Sequence, residues 1–229
     1  FYVPGNHELW LRNASFLDSI EKFHAILEAC NKLEIETTPT LIDTLEPVWI
    51  IPLFSWYIEP EAGDAGLYIP KIGEQLEANA WGDHYLTKWP TDFEPLADKY
   101  CAAITDYFLN LNVINTPTYK GASVISFSHF LPRKELLFEN PPADLTKPIQ
   151  PATNDAYPSF NFSRVAGTDK LDEQIRQTGA SIHFYGHQHR DRNTTIDGIN
   201  YISYCLGYPH EFKRREGNPI EPLLIWKAN

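Results

Sequence analysis

The sequence lacks methionine, has few cysteines and contains no long apolar run. Because none of the 229 residues is methionine, we expect the chain to be a processed or partial product. The three cysteines are widely spaced and form no Cys-x-x-Cys pair, which argues against a disulfide framework. A reducing location, in the cytoplasm or an organelle, is therefore favoured. No apolar run approaches the roughly 18 residues of a membrane span, and none is predicted.

Basic residues are also scarce. Lys and Arg number 19 against 30 Asp and Glu, which gives a formal net charge of −11. Phosphate backbones select for basic surfaces, so a nucleic-acid partner is not expected. A small phosphorylated substrate stays compatible with this charge, because a bound metal ion can supply local positive charge.

The remaining composition is that of a globular protein. Hydrophobic residues make up 43% and charged residues 21% of the chain, which excludes wholesale disorder. The length suits one large domain or two small ones. Since no repeat, low-complexity tract or clear linker is present, we interpret residues 1–229 as a single domain.

The spacing of apolar residues predicts an α/β fold with a mixed sheet. Helices are predicted over residues 16–33, 93–111 and 170–177. Strands are predicted over residues 1–3, 40–42, 48–54, 122–127, 181–185, 194–196, 200–204 and 223–226. Two long excursions without a clear period separate them, at about residues 55–90 and 132–158.

Three short polar segments follow predicted strands. They are GNHE at residues 5–8, SH at residues 128–129 and GHQH at residues 186–189. Ligand sites of α/β sheets form at the carboxyl ends of strands, so these segments could converge on one crevice. Imidazole and carboxamide groups are metal ligands, and two rings separated by one residue could serve two ions about 3.5–4 Å apart.

The ordered set GNHE, SH and GHQH resembles the motifs of the calcineurin-like metallophosphoesterases. The stretches FYVPGNHELW, SHFLPR and VAGTDKLDEQIR followed by HFYGHQH are similar to a branch seen in plants, algae and cyanobacteria. The resemblance implies a four-layer α/β/β/α sandwich with mixed sheets. It also implies a phosphoester hydrolase with two metal ions of the Mn, Fe or Zn type, in which a metal-bridging hydroxide attacks phosphorus in line.

The same resemblance implies roles for five residues. Asn6, His129 and His187 would bind the second metal, and His189 would bind the first. His7 would assist the leaving group without binding a metal, a role that suits a side chain titrating near neutrality.

The chain departs from the family pattern at its N-terminal end. The Asp-x-His and Gly-Asp-x-x-Asp motifs, which lie upstream of GNH in the family, do not precede Gly5. Gly82-Asp83-His84 looks like a fragment of one, but we interpret it as coincidence because it lies downstream in an irregular segment. We therefore expect an N-terminally incomplete copy of an enzyme, which alone binds metals poorly and hydrolyses little.

Several other residues have two interpretations. Arg133 and Arg190 could contact a substrate phosphate, or could pair with acidic residues on the surface. His210 could approach the substrate from the loop after the last hairpin. His183 is more typical of a hydrogen-bonded residue inside the sheet. The aromatic residues of the first excursion could form a substrate wall or could simply pack: Trp56, Tyr57, Trp81 and Trp89.

Three functions remain compatible with the sequence. The first is the metal-dependent hydrolase, with a phosphorylated small molecule or a phosphoprotein as substrate. The second is a metal-free scaffold of the same fold that binds proteins. The third is a single-metal protein that uses only His187 and His189. The sequence does not predict an oligomeric state.

Overall fold

A mixed six-stranded sheet forms the centre of the protein. The computed structural model describes residues 1–13, 15–75, 81–93, 100–114, 122–152, 155, 157–208, 211 and 222–227. The strands are β1 (Thr40–Ile42), β2 (Val48–Pro52), β3 (Ser123–Phe127), β4 (Ile182–Phe184), β5 (Arg192–Ile196) and β6 (Ile199–Ser203). Their order is β1-β2-β3-β4-β6-β5; the four inner strands are parallel, and each outer strand is antiparallel to its neighbour.

Four α-helices accompany the sheet in the part of the chain that the structure describes. They are α1 (Ser19–Lys32), α2 (Gly82–Leu86), α3 (Tyr100–Leu111) and α4 (Lys170–Thr178). The Asp18 carboxylate caps α1 by accepting from the backbone N–H groups of Ile20 and Glu21, and α4 ends at Gly179 in the left-handed conformation. Across the described parts of the chain, no helix is both long and apolar enough to cross a bilayer.

The predicted α/β class with a mixed sheet is confirmed. The residues that the structure describes form one sheet, and the second sheet implied by the family resemblance is not formed among them. The strand predicted at residues 1–3 is wrong, because a single backbone bond from Tyr2 N–H to the Glu36 carbonyl replaces a ladder. The strand predicted at residues 223–226 is also wrong: this stretch is irregular and its Leu224 side chain is 74% exposed.

The described residues form two clusters of buried hydrophobic side chains. One is mainly aliphatic and includes Leu171 and Ile175 of α4. The other is rich in aromatic rings, with Trp56 packed edge-on against Trp89 and Phe130 at centroid distances of 5.0 and 5.1 Å. Trp56, Trp89 and the neighbouring Tyr57 are buried in this second cluster, so their role is packing rather than a substrate wall.

The pairing of β3 with β4 continues beyond both strands. The Ser128 N–H donates to the Phe184 carbonyl at 2.9 Å, and the Gly186 N–H donates to the His129 carbonyl at 2.9 Å. Because the two strands are parallel, the segments that follow them leave the sheet at the same edge. The SH and GHQH segments therefore lie side by side.

His183 links the same two strands inside the sheet. Ser128 Oγ donates to the Phe130 carbonyl, so it accepts from His183 Nε2, while Ser126 Oγ donates to His183 Nδ1. The side chain is fully buried, and burial lowers the pKa of His183 to about 3. The predicted hydrogen-bonded sheet residue is thus what the structure contains, in its neutral form.

We expect the pH dependence of stability to depend on His183. Its pKa in the unfolded chain is about 6.5, so below that pH the unfolded chain binds a proton that the folded chain does not. The free energy of unfolding should fall as pH falls from about 6.5 towards 3, with a slope of up to about 1.4 kcal/mol per pH unit from this residue. Urea denaturation at stepped pH should give His183→Gln a shallower slope than the wild type, whereas parallel slopes would contradict the assignment.

Candidate metal centre

Three donor atoms from distant segments meet at the carboxyl edge of β3 and β4. His129 Nε2 lies 3.0 Å from Asn6 Oδ1 and 3.1 Å from His187 Nδ1. Ligand atoms about 2.1 Å from a Zn-type cation and at right angles to each other are about 3 Å apart. The spacing of the three atoms therefore fits the first coordination sphere of one metal ion.

The protonation of the two imidazoles suits metal binding. His187 Nε2 donates to the Val165 carbonyl at 3.0 Å, which leaves the Nδ1 lone pair towards His129. Burial, followed by the neighbouring His129, holds the pKa of His187 well below its usual value. Burial first, and then the charges of His7 and His189, lower the pKa of His129 to about 3. Both rings are neutral at pH 7, which is the form that binds metals.

The hydrogen-bonding capacity of Asn6, His129 and His187 also favours a bound metal ion. His129 Nε2 faces both the oxygen of Asn6, an acceptor, and the Nδ1 of His187, whose lone pair is also an acceptor. One ring N–H cannot satisfy two acceptors well, and a deprotonated Nε2 satisfies neither. A cation between the three atoms satisfies all of their lone pairs, so the residues present fit a metal ion.

The backbone of the GHQH segment is bent into a rarely used conformation. His187 and His189 have φ values of 68° and 50°, in the left-handed region that disfavours side chains. The Gln188 N–H closes the turn around His187 by donating to the Gly186 carbonyl at 2.8 Å. Such conformations cost roughly 1–3 kcal/mol and cluster at functional sites.

Gly5 lets the GNHE segment approach His129. A Cβ atom at Gly5 would lie 2.5 Å from His129 Cε1, closer than any ordinary contact. The Glu8 carboxylate accepts from the Gly5 N–H at 2.8 Å and so closes this turn. The glycine is required here by close approach rather than by its backbone angles.

Asp83 lies beside the candidate ligands, although the likeness of Gly82-Asp83-His84 to a family motif stays interpreted as coincidence. It is 1% exposed at the start of α2 and accepts from Asn6 Nδ2 at 2.9 Å. Its other partners are the indole N–H groups of Trp10 and Trp81, both at 2.6 Å. By holding the Asn6 amide nitrogen, Asp83 turns the amide oxygen towards His129. Asp83 meets Asn6 and Trp10 only in the folded chain, so its role could not be found from sequence order.

Aromatic rings surround His187. The ring centroids of Phe130, Phe162 and Trp81 lie 4.6, 5.2 and 5.9 Å from that of His187. Of Trp56, Tyr57, Trp81 and Trp89, Trp81 is therefore the one beside the site. This enclosure lowers the local dielectric, which strengthens any electrostatic interaction with a bound ion.

His7 and His189 lie in a neighbouring group with Tyr208. The His7 ring packs on Trp10 at 3.8 Å, and its Nδ1 is 3.0 Å from the Tyr208 hydroxyl. His189 Nδ1 is 2.9 Å from a Glu211 carboxylate oxygen, and its ring is 4.9 Å from that of Tyr208. Burial lowers the pKa of His7 from its ordinary value. His187 and His189 have different partners, so a metal held by those two rings alone is not favoured.

The residues predicted to contact substrate are placed differently from one another. The Arg133 guanidinium is bound by Glu135, Asp172 and Asp197, so the structure favours ion pairing over a phosphate contact. Arg190 is exposed directly after the GHQH segment. His210 lies outside the described residues.

The donor set is limited in one respect. Among the residues that the structure describes, no three or more His, Cys, Asp and Glu side chains form a group able to hold a metal ion. The cluster found here combines two imidazoles with one carboxamide, Asn6.

Comparison with known proteins adds a relative and a solved fold. The chain is 25% identical over 229 residues to the [acyl-carrier-protein] phosphodiesterase PptH of Mycobacterium tuberculosis, covering 94% of this chain. It spans 62% of that relative's length. The crystal structure of phosphopantetheinyl hydrolase (PptH) from Mycobacterium tuberculosis matches with a TM-score of 0.59 at 22% identity, over 93% of this chain and 71% of that one. The chain therefore shares that fold. No protein-family model matches it.

We expect Gly5→Ala to weaken metal binding without unfolding the protein. The new methyl group would meet the tip of the His129 side chain, which can move, so the displaced ring should cost about tenfold or more in metal affinity. Competition with a chromophoric chelator for Zn²⁺ or Mn²⁺ measures this effect. Gly186→Ala is the matched control, because its Cβ would be 3.5 Å from the His129 carbonyl oxygen, an ordinary contact. Equal affinities for the two variants would contradict the proposed role of His129.

We expect Asp83→Asn to lower both stability and metal affinity. An amide in place of the carboxylate sets an N–H group against one of three buried N–H donors, at a cost of about 1–3 kcal/mol. Urea denaturation measures the stability, and chelator competition measures the affinity. Asp64→Asn, at an exposed position, is the control. Unchanged metal affinity in Asp83→Asn would show that Asp83 does not orient Asn6.

Proposed function

We propose that this chain is a metal-dependent phosphoester hydrolase of the calcineurin-like type. The name of the PptH relative further suggests a phosphodiester as substrate, with a phosphopantetheinyl group on a carrier protein as the candidate. The observation that carries the proposal is the convergence of Asn6 Oδ1, His129 Nε2 and His187 Nδ1 within 3.0 and 3.1 Å.

The donor types favour a borderline metal ion. Two imidazole nitrogens and one amide oxygen suit Zn, Mn or Fe better than Ca or Mg, which prefer oxygen alone. When bound, such ions supply positive charge for the phosphate oxygens and lower the pKa of water. The partly buried rings of His129 and His187 stay neutral for this purpose, because burial opposes their protonation.

His189 is the candidate ligand for a second ion. In a neutral ring whose Nδ1 donates to the Glu211 carboxylate, Nε2 carries the free lone pair. A carboxylate on the far nitrogen of a ligating imidazole fixes the ring and raises its basicity. The Glu211 carboxylate thus holds the His189 ring in one orientation.

His7 is the candidate proton donor to the leaving oxygen. When the Tyr208 hydroxyl donates to His7 Nδ1, the proton of the neutral ring resides on Nε2. Packing against Trp10 restricts the ring plane. His7 can therefore present one proton in a set orientation, which is what general acid catalysis needs.

The test is a metal-dependent diesterase assay on the wild type and on His7→Asn. We expect slow hydrolysis of bis(p-nitrophenyl) phosphate with Mn²⁺ or Zn²⁺, abolished by a chelator. His7→Asn should lose about 100-fold or more in kcat, because a general acid contributes that much. Its metal affinity should change little, since His7 makes no contact with the three donor atoms.

His24→Asn is the matched control, because His24 lies exposed on α1 and bonds to the Tyr107 hydroxyl. It should retain the wild-type rate. Hydrolysis that persists after metal removal, or an equal loss in both variants, would contradict the proposal.

A further inference from the structure

A large cavity lies beside the candidate metal centre. Its volume is about 790 Å³, and it is bounded by the second excursion and by the residue that follows GHQH. Its lining includes Leu137, Phe138, Ala152, Phe160, Phe162 and Arg190. A cavity of this size is typical of a site for an organic ligand and far exceeds what a phosphate group needs.

The cavity lies against the candidate metal centre, with aromatic rings between them. Phe162 lines the cavity and its ring also packs 5.2 Å from the ring of His187. Phe160 also lines the cavity, and its ring stacks on that of Trp81 at a centroid distance of 5.5 Å. The Trp81 indole N–H in turn donates to Asp83, on the Asn6 side of the site. One layer of aromatic rings therefore separates the cavity from the donor atoms.

The charges of the cavity are nearly all neutralised. Lys71 donates to Asp155 and to the Phe160 carbonyl, both at 2.7 Å, so its charge is compensated within the wall. Among the described lining residues, Arg190 is the cation without an ion pair. It directly follows His189. The cavity thus offers apolar and aromatic surface interspersed with uncharged polar side chains such as Gln150 and Asn161, and one cation, Arg190, next to the candidate ligand His189.

We propose that this cavity binds the organic arm of the phosphodiester, an elongated and uncharged chain of the pantetheine type. The inference rests on the proposed function, because it assumes that the phosphate lies at the candidate metal centre. Arg190 would contact the phosphate from the cavity side, through its planar set of donors. Binding energy from such a remote arm can be used to orient the reacting phosphate.

The test fills the cavity without removing any existing contact. Ala152 lines the cavity with an exposed side chain, so Ala152→Trp should occupy the space and still fold. Ala143→Trp, exposed on the same excursion but not lining the cavity, is the matched control. Isothermal titration with pantetheine, which carries no phosphate, measures the subsite alone. We expect Ala152→Trp to weaken this binding about tenfold or more and Ala143→Trp to leave it unchanged.

Hydrolysis measures the function separately. With a p-nitrophenyl diester of phosphopantetheine, Ala152→Trp should raise KM about tenfold, while bis(p-nitrophenyl) phosphate should be hydrolysed as by the wild type. No pantetheine binding by the wild type, or equal binding by both variants, overturns the subsite even if the small diester is hydrolysed. Cavity-dependent pantetheine binding without hydrolysis of either diester supports the subsite and overturns the proposed function.

Discussion

The parallel pairing of β3 with β4 is the constraint on which the candidate site depends. The ladder continues past the strands through the bond from Ser128 to Phe184 and the bond from Gly186 to His129. These bonds fix the loop after β3 beside the loop after β4. His129 Nε2 and His187 Nδ1 are thereby held 3.1 Å apart. Loops that left the sheet at opposite edges could not meet in this way.

The polar groups around this pairing are placed by their partners rather than by their own flexibility. Asp83 holds the amide nitrogen of Asn6, and the Val165 carbonyl holds Nε2 of His187. Each contact leaves one lone pair directed towards the same point. Burial lowers the pKa of both imidazoles, so they are neutral at pH 7. Their lone pairs can then bind a metal cation rather than a proton.

Local patterns explain which elements could be predicted. The helix pattern with Asp18 at its start and the turn at Asp197-Gly198 depend on neighbouring residues, and the structure contains α1 and the β5–β6 hairpin accordingly. The predicted strand at residues 1–3 failed because a strand also needs a partner, and Tyr2 finds one bond to Glu36. Arg133 could not be assigned from sequence, since its three carboxylate partners come from separate segments.

The sequence by itself determined the chemical types at the site: an amide and imidazoles, each following a strand or a tight turn, with glycines beside them. It also determined the α/β class, because periodicity is a local property. Only the tertiary structure decided which of these groups share one point in space. Asp83 lies at the site because long-range packing places α2 against Asn6. Arg133 instead pairs with carboxylates, because the same kind of packing surrounds its guanidinium with them. No short stretch of chain encodes either contact.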